Sequence, residues 1–306
     1  MTRAPLDVLR DRFPELSPEL KRAARWLADH PGDVGVMSMR QQARAIGVSP
    51  PTMSRLARAL DYPDYATLRR AFQDALAGPG ARYRAHAQAL QSGQRGKSTA
   101  LLMRELVNDQ VEDVRSTTEL NDPAVVEAVV DRLCGAERVG FLGVRSSFGI
   151  AYLFHYAHRL LADNGVLITG LGGALIDQLD GFGPRDALVA VSLAPYSNPT
   201  VEAARLAHER RVTVVALTDS PLSPLAPYAT HVLLFRAVSL SFFHSMLAPL
   251  ALVELLLAQQ AARGGRAVLA RLARIDRQMT ARGAYWRASA APRSASRVGG
   301  HSINRS

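Results

Sequence analysis

The sequence predicts an α + α/β chain: a small all-α helix-turn-helix domain followed by a flavodoxin-like five-stranded parallel α/β domain. Three observations predict it. Apolar residues recur at helical spacing from Leu6 to Leu76, with cap and turn residues between the runs. From Arg138 onward, short apolar runs alternate with helical stretches, the rhythm of a parallel sheet covered on both faces. Between the two, residues 78–98 are polar, basic and broken by Gly78-Pro79-Gly80, Gly93 and Gly96. The expected boundaries are 1–77 for the helical domain, 78–98 for a connector and 99–284 for the α/β domain. The tail, 285–306, is Ala, Ser, Arg and Gly without periodicity and is expected to be disordered.

In the helical domain, Leu6 to Phe13 predicts a first helix. Ser17-Pro18-Glu19 opens the second with a cap, a proline in the first turn and an acidic residue. Leu20, Ala23, Ala24 and Leu27 form its apolar stripe, with Trp26 at the edge, and His30-Pro31-Gly32 ends it. Ser38 to Leu60 reads as two short helices around a turn at Gly47-Val48-Ser49. Its buried positions fall on Ala43, Ile46, Val48, Met53 and Leu56. Gly47 supplies the positive φ of the turn, Ser49 caps the second helix, and Pro50 and Pro51 fit its first turn. That helix is expected to expose Thr52, Ser54, Arg55 and Arg58 with no carboxylate among them. Such a helix fits a DNA major groove. Ser49, Thr52, Ser54, Arg55 and Arg58 are therefore the candidate DNA contacts. An ordinary helical hairpin would share the spacing. A last helix from Ala66 places Leu68, Phe72 and Leu76 on one face, with Tyr62 and Tyr65 as packing residues.

Residues 83–90 of the connector read as helical. A helix over 100–117 follows, and Asn121-Asp122-Pro123 opens another running to Leu133. The strands are read at 138–143, 165–170, 187–192, 212–218 and 231–235. The helices between them are read at 147–163, 174–179 and 199–210, with a last long one from Leu240 to Arg263. Right-handed crossovers give strand order 2-1-3-4-5.

Composition sets bounds on function. The net charge is +10 over 306 residues. It is uneven: 12 basic against 9 acidic residues over 1–80, 4 against none over 81–98, 17 against 18 over 99–284, and 4 against none in the tail. One part suits phosphates and the neutral middle suits another task. No apolar run is long enough for a bilayer, and no signal-peptide pattern opens the chain, so a soluble cytoplasmic protein is expected. The single cysteine, Cys134, excludes an internal disulfide and reads as a small core residue. No cofactor or metal site is indicated by the spacing of His, Asp and Glu.

In open α/β sheets, ligands bind beyond the carboxyl ends of the strands where strand order reverses. Here that point lies between strands one and three. The loops are Gly143 to Gly149 and Ser192 to Thr200, both rich in hydroxyls and each leading into a helix. Helix N-termini offer free N–H groups to a phosphate. Ser146 and Ser147 add hydroxyls, Arg145 adds charge, and Ser197-Asn198-Pro199-Thr200 turns toward the same crevice, with Asn198 as N-cap. Helix capping alone would also place these hydroxyls. Gly172-Gly173 lines the pocket or simply forms a turn.

The chain resembles the RpiR/MurR family of bacterial transcription regulators, which carry an N-terminal helix-turn-helix and a C-terminal SIS (sugar isomerase) domain. The resemblance covers residues 5–275. It rests on LSPELKRAARWLADHP and AIGVSPPTMSRLARALDYPDYATLRRAF in the first part. In the second it rests on GVRSSFGIAYLF, DALVAVSLAPYSNPTVEAARLA and VVALTDSPLSPLAPYATHVLL. It implies a sugar-phosphate or related phosphorylated effector, bound through Ser146, Ser147, Ser192, Ser197 and Thr200. One departure stands out. Where such domains often have Ser-x-Ser-Gly-x-Thr, this chain has Ser192-Leu193-Ala194-Pro195, and Tyr196-Ser197-Asn198 stands in place of the missing donors.

The expected partners are double-stranded DNA carrying a near-palindromic operator and a small-molecule effector, a sugar phosphate. A second copy completes a homodimer or homotetramer, paired through the apolar Leu240–Leu257 stretch; no membrane is involved. Two other readings share these features. One is a sugar-phosphate isomerase, whose base would come from Glu202, His155, His158, His231 or His244. The other is a ligand-sensing protein without DNA binding.

Overall fold

A computed structural model describes residues 5–75, 79–93, 98–237 and 239–286. Leu76, part of the connector and the tail beyond Trp286 lie outside the described residues. Among the described residues, the N-terminal unit holds six α-helices: α1 (Pro5–Arg12), α2 (Pro18–Asp29), α3 (Pro31–Val36), α4 (Met39–Ile46), α5 (Pro50–Ala59) and α6 (Tyr65–Ala75). The short α3 is not foreseen from sequence, because His30-Pro31-Gly32 reads as a stop. Here Pro31 instead starts a new helix at its first turn.

The α4–α5 pair is built as its sequence suggests. Ser38 and Gln41 form a capping box, with Ser38 N–H donating to Gln41 Oε1 at 2.9 Å and Gln41 N–H to Ser38 Oγ at 3.4 Å. Gly47 ends α4 at φ 74°, and Val48 N–H returns to Ala43 O at 2.9 Å. Ala43, Met53 and Leu56 are buried, while Ile46 and Val48 pack half-buried against the same core. Leu9, Leu27, Leu68 and Phe72 complete it. One polar side chain crosses this core. Gln42 donates to Val34 O (3.1 Å) and Met37 O (2.9 Å) and accepts from the Tyr65 hydroxyl.

The connector holds a helix, α7 (Pro79–Gly93), longer than the expected segment. Then come α8 (Thr99–Leu120) and α9 (Pro123–Gly135), capped by Ser98 and Asp122 through N–H bonds from Leu101 and Ala124. The sheet follows: β1 (Val139–Gly143), α10 (Ser147–Leu161), β2 (Gly165–Ile168), β3 (Ala187–Ser192), α11 (Asn198–Glu209), β4 (Thr213–Thr218) and β5 (His231–Leu234). All pairs are parallel and the order is β2-β1-β3-β4-β5. This is the expected layout, and it aligns the carboxyl ends of the strands along one edge. One face of the sheet packs Val129, Leu133, Phe154, Leu252 and Leu256, and the other packs Ala203, Ala204 and Ala207 of α11.

Four expectations are corrected here. The 174–179 helix is instead two 3-10 turns, Leu171–Gly173 and Asp177–Leu179, since Gly170, Gly172 and Gly173 hold positive φ. The last long helix, α12 (Leu247–Arg263), begins after Ser239–Met246 rather than at Leu240. It is followed by an unforeseen α13 (Gly265–Ala281), whose Arg-rich face hides a thin apolar stripe. Finally, Cys134 is exposed on α9 rather than in the core. Among the described residues, no helix is long and apolar enough to cross a membrane.

Candidate functional site

The crevice is built from the loops after β1, β3 and β4. Gly143 ends β1 where space is tight: a Cβ there would stand 2.5 Å from Ser147 O. Glycine therefore lets α10 start directly against the strand end. Arg145 turns the chain at φ 55° and is exposed. Ser147 is buried at the head of α10. Ser146 Oγ hydrogen-bonds His244 Nε2 at 2.9 Å. His244 thus reaches the first loop of its own chain. Tyr83 of α7 stacks on the adjacent Phe243, centroids 5.6 Å apart, and lies 6.3 Å from the His244 ring. The connector therefore touches the residues that hold the first loop.

On the second loop, Ser192 is buried and its Oγ accepts from Ser197 N–H at 3.3 Å. Ser197, not Asn198, is the N-cap residue of α11, yet its hydroxyl makes no capping bond. The loop turns through a cis Ala194–Pro195 peptide. Thr200 is fully buried, with no hydrogen-bond partner for its Oγ1. The same holds for Thr218 Oγ1, while the Tyr196 hydroxyl faces Asp219 and Ser223. Buried polar atoms are normally paired, so the unpartnered Thr200 and Thr218 hydroxyls, with Tyr196 and Asp219 on the neighbouring loops, mark a polar floor suited to a hydroxylated ligand. Burial, then the nearby Asp219 charge, pushes the Tyr196 phenol far above its ordinary range. It stays a neutral hydroxyl that can donate.

Asp219 joins three elements. Its Oδ2 accepts from Ala194 N–H at 3.2 Å and lies 3.8 Å from Arg10 Nη1 of α1. The Arg10 guanidinium also sits 5.2 Å from the Tyr196 ring centroid. Leu222, on the loop after β4, is buried within the helical domain's core. The helical domain thus packs on the β3 and β4 loops. Sequence reasoning missed Arg10, Thr218, Asp219 and Leu222. The available signal was the position of Asp219-Ser220 just past a strand's carboxyl end, the same rule that selects the other two loops.

On the helix-turn-helix, Arg55 and Arg58 are exposed on α5. Thr52 is not: it is fully buried, with its hydroxyl donating to Glu19 Oε1 at 2.9 Å. Glu19 Oε2 also accepts from Arg55 Nη2 at 3.1 Å. A carboxylate from α2 therefore stands beside the cationic face, which the α5 sequence alone does not reveal. Ser49 is exposed and bonds Thr52 Oγ1 at 2.8 Å instead of capping the backbone. Ser54 is half-buried against Met39 Sδ at 3.8 Å.

The candidate bases do not converge on the crevice. His158 is buried in the last turn of α10, bonded to Gln260 (2.7 Å) and Asn164 (2.9 Å). His155 packs on Phe141, and burial lowers its pKa. His231 opens β5 at the other end of the sheet, and burial lowers its pKa too. Glu202 is exposed and paired with Arg205 at 3.1 Å. Of these candidates, only His244 bonds a crevice loop.

Residues 132–259 match the SIS domain family. The chain is 32% identical to the sugar isomerase domain of an RpiR transcription factor from Sphaerobacter thermophilus, with 57% of this chain and 98% of that one covered and a TM-score of 0.55. It is 26% identical over 230 residues to the HTH-type transcriptional regulator HexR of Pseudomonas aeruginosa, covering 74% of this chain and 76% of that protein. The fold of Vibrio vulnificus NanR, solved with ManNAc-6P, covers 90% of this chain and 98% of that one, at 21% identity and a TM-score of 0.55.

Proposed function

The chain belongs to the RpiR family of transcription regulators with a C-terminal SIS domain, and on that premise we propose that it binds an operator and releases or engages it in response to a phosphorylated metabolite. The carrying observation is the α4–Gly47–α5 unit. Its α4 capping box and left-handed Gly47 turn suit a helix-turn-helix, and it presents Arg55 and Arg58 outward. An exposed cationic helix of this kind suits the major groove, with Arg at base edges or phosphates. Ser49 and Ser54 steady the same face.

The effector is assigned to the crevice. The heads of α10 and α11 offer N–H groups to a phosphate, Ser146, Ser147, Ser192, Ser197 and Thr200 line it with hydroxyls, and Arg145 and Tyr196 flank it. NanR was solved with ManNAc-6P, which supports a sugar phosphate as the class to test. The proposed division remains 1–77 for DNA, 78–98 for coupling, 99–284 for sensing and pairing, and 285–306 for a basic tail. Action on DNA places the protein in the cytoplasm.

A homodimer reads two half-sites about 34 Å apart, or a multiple. In the Leu240–Leu257 stretch, Ala248, Leu252, Val253 and Leu256 are buried within the protomer, while Leu240, Phe242, Leu247 and Leu255 stay exposed and suit pairing. We assign pairing also to α10, where Phe148, Tyr152 and Tyr156 form an exposed stacked ladder with centroids 6.1 and 6.5 Å apart. We assign it a regulatory rather than a catalytic role: of the candidate bases only His244 bonds a crevice loop, and a shared fold does not by itself confer chemistry.

The test is fluorescence anisotropy on DNA from just upstream of the coding region, at one stated salt concentration, with and without a panel of sugar phosphates. Specific binding shifted by one phosphosugar is the expected result. Specific binding indifferent to the panel removes the sugar-phosphate assignment. Absence of specific binding there and in a genome-wide site selection removes the DNA assignment.

A further inference from the structure

We propose that Arg10 is an anion-operated latch, docking the helical domain on the crevice through Asp219 and leaving Asp219 when an anionic ligand enters. The effector half of this rests on the function proposed above; the docking half does not.

The argument starts from placement. Arg10 belongs to the helical domain, yet its side chain is only 12% exposed because it lies against the β3 and β4 loops. Asp219 is 14% exposed. At that depth a pair of charges is screened less than at the surface. Their 3.8 Å separation is nevertheless beyond hydrogen-bond range, so the attraction between these two atoms is Coulombic rather than a fixed directional bond. Asp219 is itself anchored, since Oδ2 also accepts from Ala194 N–H. When the pair separates, Arg10 loses its hold on this loop. Leu222, on the same loop and buried in the helical core, couples that loss to the packing between the units.

Charge on the loops adds a second reason. Arg145 is the one basic residue on the loops 143–149, 192–198 and 218–225, and it sits exposed on the first of them. The β3–β4 side of the crevice has its orphan hydroxyls and a carboxylate, and its cation comes from Arg10. A phosphate monoester carries more charge than a carboxylate and matches the guanidinium fork with two oxygens. Placed among Ser192, Ser197 and Thr200, it competes with Asp219 for the same arginine. Asp219 and the incoming anion repel one another, so the more highly charged phosphate draws the guanidinium from the carboxylate.

The test follows docking directly. Cys134 is the single cysteine and is exposed, which makes it a native labelling position. A second label goes on Arg44→Cys, an exposed position of α4. Energy transfer is read in labelled protein diluted into excess unlabelled chain, which suppresses transfer between copies. Without ligand, Arg10→Ala and Asp219→Asn are each expected to lower the docked population about tenfold. The exchange Arg10→Asp with Asp219→Arg is expected to restore it. Unchanged transfer in both single variants overturns the latch, and so does failure of the folded exchange variant to recover, with thermal melts confirming folding. The second arm titrates aldose and ketose 6-phosphates, with binding followed by calorimetry. A ligand that binds and shifts transfer in the native protein but not in Arg10→Ala supports the switch. A ligand that binds and leaves transfer unchanged overturns it. If no phosphosugar binds at all, the effector assignment and the switch fall together, while the docking arm still decides whether the latch exists.

Discussion

His244 Nε2 stands 2.9 Å from Ser146 Oγ, so a residue just ahead of α12 holds the first loop of the crevice, and the connector's Tyr83 rests against its neighbour Phe243. Removing that imidazole frees the loop without touching α5. His244→Ala is expected to raise the effector midpoint about fivefold, the factor for about 1 kcal/mol of one net hydrogen bond. Operator affinity without effector stays unchanged, and His244→Gln recovers part of the response. An anisotropy titration checks both, and an unmoved midpoint removes His244 from the site.

Glu19 and Arg55 make opposite predictions. Arg55→Ala is expected to cost about 1–3 kcal/mol of operator affinity at fixed salt. Glu19→Gln releases Arg55 and removes a negative charge from the DNA-facing side, so it is expected to tighten binding about two- to fivefold. Equal affinity of Glu19→Gln and the native protein would show that the pair opens at no cost or that Arg55 faces elsewhere.

Gly143→Ala tests the loop by geometry. The added carbon meets the Ser147 carbonyl at 2.5 Å, so the start of α10 must shift. The expected stability loss is about 1–3 kcal/mol, the scale of overpacking elsewhere. Effector binding weakens with it, while α5 and its operator affinity do not. Urea denaturation and effector calorimetry separate the two effects.

Asp186 gives a pH dependence. Its burial opposes charge, but Arg138 at 2.8 Å and the Gly183 N–H at 2.8 Å win, and its pKa lies below the ordinary carboxylate value. A depressed native pKa means that the unfolded state binds the proton more readily. The stabilisation is therefore complete above the ordinary range, about pH 4–5, and is lost as pH falls through the native value. Asp186→Asn is expected to be less stable at pH 7 and to show a shallower acid decline. An equal decline in both proteins would reject the assignment.

Tyr152 tests pairing. Tyr152→Asp places a charge in the middle of the α10 ladder and is expected to turn the oligomer into monomers by light scattering, with weaker binding to a full operator than to a half-site control. An unchanged mass moves the interface off α10.

The sheet was legible because each strand is a short apolar run, with Gly143, Ser192 and Thr218 closing β1, β3 and β4, and β3 begins and ends where its sequence says. The α4–α5 turn was legible because Gly47 has one steric reason to be there. What failed depends on partners distant in sequence. Thr52 looks outward on an isolated α5 but is buried where α2 packs on it, with its hydroxyl bonded to Glu19. Likewise Arg10 reads as one more surface arginine until β4 brings Asp219 to it. The α13 helix failed for a different reason: its arginines mask the buried Val268 and the weak stripe around it.

The buried amide of Gln42 has a consequence for what this domain can tolerate. Its bonds to Val34, Met37 and Tyr65 span α3, the α3–α4 link and α6. Oily contacts hold helices together at many crossing angles, whereas a three-partner amide is satisfied at very few. A leucine in its place would fill the space and leave two carbonyls and a phenol stranded. The domain would then hold together while losing the single orientation that aims α5. Gln42 contributes less to cohesion than to uniqueness, and substitutions there should yield folded protein that has lost its aim.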